Sequence, residues 1–219
     1  MIVTIAGSGG AAATIVAQNL ALLRARAGRR VLLVDSDPQQ PACRWARRRY
    51  EDGRKPNILA ETILGSDLDV RLAPLQRRSH DIVIHTEGDS PASRAALIAA
   101  RTVVVPLTAG QADIEHQYPL IARLNSARIF NPALRVLFVL IGEGVDPGGA
   151  GMAAARAYAA QVMSATLACT VLHAQGAAGP DCVGGQCVCE APERDARAAA
   201  EMKELYREVF VVSTLSIAA

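Results

Sequence analysis

A glycine-rich stretch near the start of the sequence is the first place where the chain could bind phosphate. The residues GSGGAAAT, 7–14, follow a short β-branched run and precede apolar residues at helical spacing, which predicts a strand, a loop and a helix in that order. A phosphate-binding P-loop reads G-x-x-x-x-G-K-[ST]. Gly7 and Thr14 occupy the first and last positions of that pattern, but Ala12 and Ala13 stand where it has its second glycine and its lysine.

This loop has two interpretations. In one, backbone N–H groups between Gly9 and Thr14 and the N-terminus of the following helix bind a nucleotide or phosphate weakly, and the Thr14 hydroxyl faces a magnesium ion. In the other, Gly9 and Gly10 only permit a tight turn from strand to helix, and the alanines at 11–13 favour the start of the helix. The residues alone leave both interpretations open.

Acidic and imidazole side chains follow the next two apolar strand candidates. Asp35 and Asp37 lie in VLLVDSDPQ, and His85 ends the apolar run of HDIVIHTEGD. The two acids could belong to a site, or they could be solvated or cap the next helix. His85, with Glu87, Asp37 and Thr14, could bind a transition metal, because imidazole favours zinc or iron over magnesium. The alternative is a structural histidine that is held by hydrogen bonds.

Short apolar runs alternate with amphipathic segments along the whole chain. This alternation predicts an α/β fold, a doubly wound and mostly parallel sheet with helices on both faces. The predicted strands are Ile2 to Ile5, Val31 to Val34, Asp81 to His85, Thr102 to Pro106, Arg135 to Ile141 and Ala168 to Leu172. The predicted helices are Thr14 to Ala27, Gln40 to Tyr50, Pro91 to Ala100, Ile114 to Ala127, Gly151 to Ala165 and Asp195 to Phe210.

The length and composition are those of a single cytoplasmic domain. With 219 residues, 51% of them hydrophobic, the chain can build one substantial core, and we expect one domain over residues 1–219. No apolar run approaches the ~20 residues that span a bilayer, and the glycine loop interrupts any signal-peptide core. We therefore expect a cytoplasmic protein with reduced cysteines and no membrane partner.

Basic residues are concentrated in one predicted helix, although the net charge of +2 is too small to indicate nucleic-acid binding by itself. Arg44, Arg47 and Arg48 lie near one face of CRWARRRYEDGRK and could contact a phosphate backbone. A solvated basic helix explains them equally well. A rival basic patch lies near the C-terminus and consists of Arg194, Arg197, Lys203 and Arg207.

Three cysteines form a C-x4-C-x-C cluster in GPDCVGGQCVCE. Thiolates at short spacing can bind zinc or an iron–sulfur cluster, so Cys182, Cys187 and Cys189 are candidate metal ligands. The spacing matches no common metal motif, and the alternative is that Cys187 and Cys189 are small apolar residues of the core. The Gly/Pro-rich residues from Gly176 to Gly185 predict a loop before these two cysteines.

Several motifs together resemble one family. GSGGAAAT, VLLVDSDPQ, HDIVIHTEGDSPASRAALIAA, TVVVPLTAG and AAAEMKELYREVF resemble segments of the ParA/MinD family of deviant-Walker P-loop ATPases, over nearly the whole chain. The resemblance implies a P-loop NTPase-like fold and an ATP-dependent sandwich homodimer with a Mg-nucleotide at its interface. It further implies binding to non-specific DNA and stimulation by a partner protein of the ParB type.

The family loop reads K-G-G-x-G-K-[ST]. Superposing it on this sequence places Ser8 at the signature lysine that crosses the dimer interface, and Gly9 and Gly10 at the paired glycines. Ala13 falls at the lysine that grips the phosphates. The resemblance therefore implies that both lysines of the loop are absent.

The acids of the family site map onto the strand ends. The resemblance gives Asp37 the catalytic role of orienting the attacking water, and Thr14 and Asp35 a role at magnesium if the ion is retained. The Walker-B aspartate of the family is replaced by His85. The implied nucleotide-binding residues are Gly7, Ser8, Gly9, Gly10, Ala11, Ala12, Ala13, Thr14, Ile15, Asp35 and His85.

The resemblance thus predicts a partition or cargo-positioning protein with a degenerate nucleotide site and weak or absent ATP hydrolysis. Such a protein could act through protein or DNA contacts, for example with an active ParA relative. One alternative is a slow ATPase that binds ATP and Mg through loop amides. Another is a metal-binding module on the same fold that uses the three cysteines. Loss of the bridging charges predicts a monomer unless an apolar interface replaces them.

Overall fold

A single parallel sheet organises the protein. The computed structural model describes residues 1–7, 11–108, 118–142, 145, 149–173, 185–190 and 195–211. The sheet has the order β3-β2-β4-β1-β5-β6-β7, and its strands are β1 (Ile2–Gly7), β2 (Val31–Asp35), β3 (Leu59–Thr62), β4 (Asp81–Glu87), β5 (Thr102–Thr108), β6 (Arg135–Ile141) and β7 (Ala165–Leu172). The helices are α1 (Ala11–Arg26), α2 (Pro41–Glu51), α3 (Leu68–Arg78), α4 (Pro91–Ala99), α5 (Tyr118–Phe130), α6 (Ala150–Ala159) and α7 (Ala196–Phe210), with a 3₁₀ turn at Val188–Glu190.

The central strands are mainly apolar because helices cover both faces of the sheet. β1 and β2 are buried along their whole length, as expected of parallel strands between two helical layers. The edge strands β3 and β7 keep exposed or half-buried residues. Burial therefore falls from the centre of the sheet to its edges.

Two helical layers enclose the sheet. Helices α1, α2 and α7 pack on one face, in a core cluster that includes Leu20, Trp45 and Met202. Helices α3 to α6 cover the other face, where Leu97 and Leu72 belong to two further clusters. None of the helices in the described ranges has both the length and the apolar character needed to cross a membrane.

The predicted α/β class and parallel sheet are confirmed, while the described strand β3 and helix α3 were not predicted. β3 was missed because it is a four-residue edge strand with no buried residue. α3 was missed because it is short and contains Pro74. The helix predicted from Gly151 to Ala165 ends at Ala159, and Ala165 already begins β7 after a left-handed turn residue, Ser164.

Candidate functional site

The ends of three neighbouring strands bring the candidate site residues together. β2, β4 and β1 are adjacent and parallel, so their carboxyl ends meet at one edge of the sheet. The register pairs Asp35 and Ile5 with His85, and Gly7 with Glu87. Ligand sites of open α/β sheets lie at this edge.

His85 is the centre of this edge. Its side chain has no exposed surface; Nδ1 lies 3.2 Å from Oδ1 of Asp35, and Nε2 lies 3.2 Å from Oγ1 of Thr14. Because an ionised carboxylate can only accept hydrogen bonds, Nδ1 carries the proton that bonds to Asp35. In the neutral ring Nε2 then has a lone pair, which accepts the hydroxyl proton of Thr14.

Asp35 is fully buried, and its carboxylate is stabilised by hydrogen bonds. Besides the imidazole of His85, its carboxylate accepts the backbone N–H of Asp37 at 3.2 Å and that of Cys43 at 2.9 Å. Cys43 is the third residue of α2, so Asp35 satisfies one of the N–H groups that a helix start leaves without an internal partner. The sequence alternative of a capping acid therefore describes Asp35 well.

Asp37 and Glu87 form a second acidic group beside His85. One oxygen of Asp37 accepts the backbone N–H of Gln39 at 2.8 Å. Burial, the negative charge of Asp37 and a hydrogen bond with its carboxylate raise the pKa of Glu87. One ligand atom from each of Asp37, His85 and Glu87 lies within 4.8 Å of the others. Two acids and an imidazole thus converge on one point.

The position of the family lysine lies inside the core. Ala13 is only 5% exposed and belongs to the cluster shared by α1, α2 and α7. Ile15 is buried, Ala11 is exposed and Ala12 is half-buried. The predicted loop residues Ser8, Gly9 and Gly10 lie outside the described residues.

The arginines predicted to contact nucleic acid lie on the outer face of α2. Arg44, Arg47 and Arg48 are all exposed; Arg44 bonds to the carbonyl of Gln39, and Arg47 pairs with Glu51 at 3.0 Å. In the rival C-terminal patch, Arg197 pairs with Glu201 and Arg207 with Glu204, and Arg194 lies outside the described residues.

Arg49, the next residue of α2, is different and was missed as an individual residue. Its side chain has no exposed surface and forms a bidentate ion pair with Glu190, at 2.6 and 2.9 Å. It also donates to the carbonyls of Gly185, Lys55 and Pro56. The signal was present in the sequence, since Ala42, Trp45, Ala46 and Arg49 follow helical spacing on the buried face.

The cysteine cluster is described only in part. Cys182 lies outside the described residues, whereas Cys187 and Cys189 are buried in the core cluster of α1 and α7. Burial raises the pKa of Cys189 to about 11, which favours the thiol over the metal-binding thiolate. These two side chains thus have the environment expected of small apolar core residues.

A comparison with protein-family models identifies the family of this chain. A family model described as the CobQ/CobB/MinD/ParA nucleotide binding domain matches residues 2–209. The chain belongs to this family. The resemblance to ParA and MinD proteins that the motifs indicated is therefore confirmed.

Individual relatives of this MinD/ParA-type chain agree with the family match. The chromosome-partitioning ATPase Soj of Thermus thermophilus is 32% identical over 161 residues, and the alignment spans 61% of this chain and 65% of the relative. MinD of Pyrococcus horikoshii, complexed with Mg-ADP, superposes with a TM-score of 0.69 at 14% identity, covering 98% of each chain. A plasmid partition protein of Borrelia burgdorferi superposes with a TM-score of 0.65 at 16% identity, covering 97% of this chain and 98% of that one. At these identities the two structures establish the shared fold.

Proposed function

We propose that this protein is a ParA-type partition or positioning protein whose inherited nucleotide pocket no longer supports ordinary Mg-ATP hydrolysis. The observation that carries the proposal is the position of His85. Its imidazole is hydrogen-bonded to both Thr14 and Asp35, the two residues that the family resemblance assigns to magnesium. Partition is the activity named for the Thermus relative.

Magnesium does not fit this arrangement of side chains. Mg²⁺ demands near-ideal octahedral geometry from oxygen ligands. To bind here, the ion would have to break the bonds of His85 to Thr14 and Asp35 and leave a fully buried imidazole without partners. An unsatisfied buried polar group costs about 1–3 kcal/mol.

The loop adds no positive charge where the family has lysine. Ala13 presents a methyl group to the apolar core. Charge-assisted hydrogen bonds contribute about 1.5–3 kcal/mol each, so the loss of one weakens phosphate binding roughly 10–100-fold. Phosphoryl transfer loses more, because it depends almost entirely on positioning and charge neutralisation.

Calorimetric titration of the full chain with Mg-ATP tests the proposal. We expect no saturable heat at micromolar concentrations and no turnover above the buffer rate. The double variant Ala13→Lys with His85→Asp should gain nucleotide affinity, because it restores a cation and releases the Thr14 hydroxyl. His80→Asp makes the same histidine-to-acid change at an exposed site and should leave binding unchanged.

The outcomes of this titration are distinct. Tight binding of Mg-ATP with robust turnover by the unmodified chain would overturn the proposal. Slow turnover that disappears in Asp37→Asn would instead favour the alternative of a slow ATPase. Circular dichroism of each variant checks that a loss of binding is not a loss of folding.

DNA contact is assigned, within the same proposal, to the exposed arginines of α2. Replacing Arg44, Arg47 and Arg48 by Gln should weaken non-specific DNA binding and reduce the slope of log affinity against log salt by about 0.9 for each phosphate that the variant no longer neutralises. The matched control replaces Arg197, Lys203 and Arg207 on α7. If only the α7 variant fails to bind DNA, the assignment to α2 is wrong.

A further inference from the structure

We propose that Asp37, His85 and Glu87 bind a divalent transition metal ion, with zinc as its representative, in the absence of nucleotide. The donor set differs from that of a magnesium site because it contains an imidazole and a second strand-end acid. Three protein ligands leave at least one position of the ion open to water or an anion. The site needs no residue outside the described ranges.

The spacing of the three ligand atoms suits one ion. Zinc binds nitrogen and oxygen at about 2.0–2.2 Å, so two ligands at the tetrahedral angle lie about 3.4 Å apart. The candidate atoms of Asp37, His85 and Glu87 all lie within 4.8 Å of one another. Side-chain rotations that shorten these separations by at most about 1.4 Å bring the atoms into the range for coordination.

The hydrogen bond between Nδ1 of His85 and Asp35 is an independent reason to place a metal ion on Nε2 of the same ring. Metal-ligating histidines almost always donate their other ring N–H to a carboxylate or carbonyl, which fixes the tautomer and orients the ring. Here Nδ1 donates to Asp35, which is itself held by the backbone N–H groups of Asp37 and Cys43. The lone pair of the ring therefore lies on Nε2.

The Nε2 lone pair can be released to a metal. Its present partner is the Thr14 hydroxyl, at a distance of 3.2 Å, which is long for a hydrogen bond from a hydroxyl group. A metal ion on Nε2 replaces this weak bond with a coordinate bond. Thr14 remains beside the ion, where its hydroxyl can donate to a carboxylate ligand or to water at the open position.

The charges at the site also call for a cation. Asp37 is 7% exposed, and Glu87 is half-buried next to it. In the described residues no arginine or lysine forms an ion pair with either acid. Binding of a dication places two positive charges between the acids.

The identity of the metal follows from the ligand types. Imidazole nitrogen suits zinc, copper, iron and nickel, whereas magnesium and calcium prefer oxygen alone. A buried imidazole with two carboxylates thus selects against the ion that the family uses. Cobalt(II) is a suitable optical probe because it takes zinc-like geometries and is coloured.

The test is a cobalt(II) and zinc titration of chelator-treated full chain without nucleotide. We expect one equivalent of cobalt to give visible absorption bands typical of nitrogen and oxygen ligands, and zinc to displace it. Asp37→Asn, Glu87→Gln and His85→Asn should each weaken binding at least ~10-fold. Asp35→Asn removes no candidate ligand but changes the acceptor of Nδ1 and of the backbone N–H groups of Asp37 and Cys43, and it should weaken binding by about 10-fold.

His80→Asn is the matched control, since His80 is an exposed histidine that immediately precedes the opposite end of the same strand. A thiolate charge-transfer band in the near ultraviolet would place cobalt on cysteines and overturn the proposal. Absence of stoichiometric binding, or equal losses in the His80 control, would overturn it as well. Because this titration uses no ATP, its failure leaves the nucleotide result untouched.

Discussion

The two ends of strand β4 carry acids in opposite electrostatic surroundings. At the amino end, Asp81 is buried and pairs with Arg24 at 2.8 Å and Arg29 at 3.0 Å. At the carboxyl end, Glu87 lies beside Asp37 and His85, and none of the ion pairs among the described residues brings an arginine or lysine to it. One strand thus has a neutralised end and an end with excess negative charge.

The pKa shifts have opposite signs at the two ends. Burial alone would raise the pKa of Asp81, but the hydrogen bonds and charges of Arg24 and Arg29 outweigh it and hold the pKa below its ordinary value of 3.8. Burial and the charge of Asp37 raise the pKa of Glu87. The amino end therefore stabilises the fold, while the carboxyl end keeps acids that form no ion pair with an arginine or lysine of the described residues.

The largest loss of stability should come from removing the carboxylate of Asp81 at the amino end of β4. Asp81→Asn leaves two arginine side chains without their counter-ion, and we expect a loss of about 2–3 kcal/mol in the free energy of unfolding. Urea denaturation at neutral pH measures it. Asp89→Asn, which removes an exposed partner of Arg94, is the control and should change stability by less than about 1 kcal/mol. Equal losses of stability in the two variants would show that the Asp81 ion pairs stabilise the fold no more than an exposed ion pair does.

Acid should abolish the advantage of the Asp81 ion pairs. Since the folded pKa of Asp81 lies below its ordinary value of 3.8, its stabilisation is present above that value and is lost as pH falls through the folded pKa. The difference in stability between the unmodified chain and Asp81→Asn should shrink steadily below about pH 4. Urea unfolding in a series of acidic buffers tests this. A constant difference would mean that Asp81 acts through packing rather than charge.

The hydrogen bonds of His85 to Asp35 and Thr14, at the carboxyl end of β4, should contribute less to stability than the ion pairs of Asp81. In His85→Asn, the amide group can still donate to Asp35 but does not reach Thr14, so we expect a loss of about 1 kcal/mol from the missing bond and the small cavity. Thermal unfolding, with His80→Asn as the control, measures it. A loss as large as that of Asp81→Asn would show that the two ends stabilise the fold equally.

The smallest expected effect is a gain in stability rather than a loss. Glu87→Gln removes the repulsion between the two carboxylates and supplies an amide donor for Asp37, so the metal-free protein should gain up to about 0.5 kcal/mol at neutral pH. A raised pKa means that the stabilising contribution of protonated Glu87 is lost as pH rises through it, so the gain should disappear in acid. Excess zinc should raise the melting temperature of the unmodified chain, so that it becomes more stable than Glu87→Gln.

The centre of the sheet could be predicted from the sequence, but its periphery could not. β1 and β2 are buried along their whole length and are mainly apolar because both faces of the sheet are covered. β3 and α3 lack that signal, since a half-exposed edge strand and a short helix with an internal proline resemble loops. The central elements follow from local pattern, whereas the peripheral ones depend on tertiary packing.

The candidate site was likewise predictable only in outline. The positions of Asp35, Asp37 and His85 at strand ends place them at one edge of the sheet. The hydrogen bonds of His85 to Asp35 and Thr14 depend on strand register and side-chain rotamers, which no spacing in the sequence encodes. The backbone N–H of Cys43 on Asp35 was unpredictable for the same reason.

The four neighbouring arginines of α2 have a practical consequence for mutagenesis. Alanine at Arg49 would leave three carbonyl groups without this donor and Glu190 with only Arg26 and the backbone N–H of Cys187, so the destabilised variant would be mistaken for one with a defective DNA-binding surface. Lysine scanning separates the two cases. At Arg44, Arg47 and Arg48 lysine keeps the charge that faces solvent, but at Arg49 it cannot reproduce the planar fork that holds Glu190.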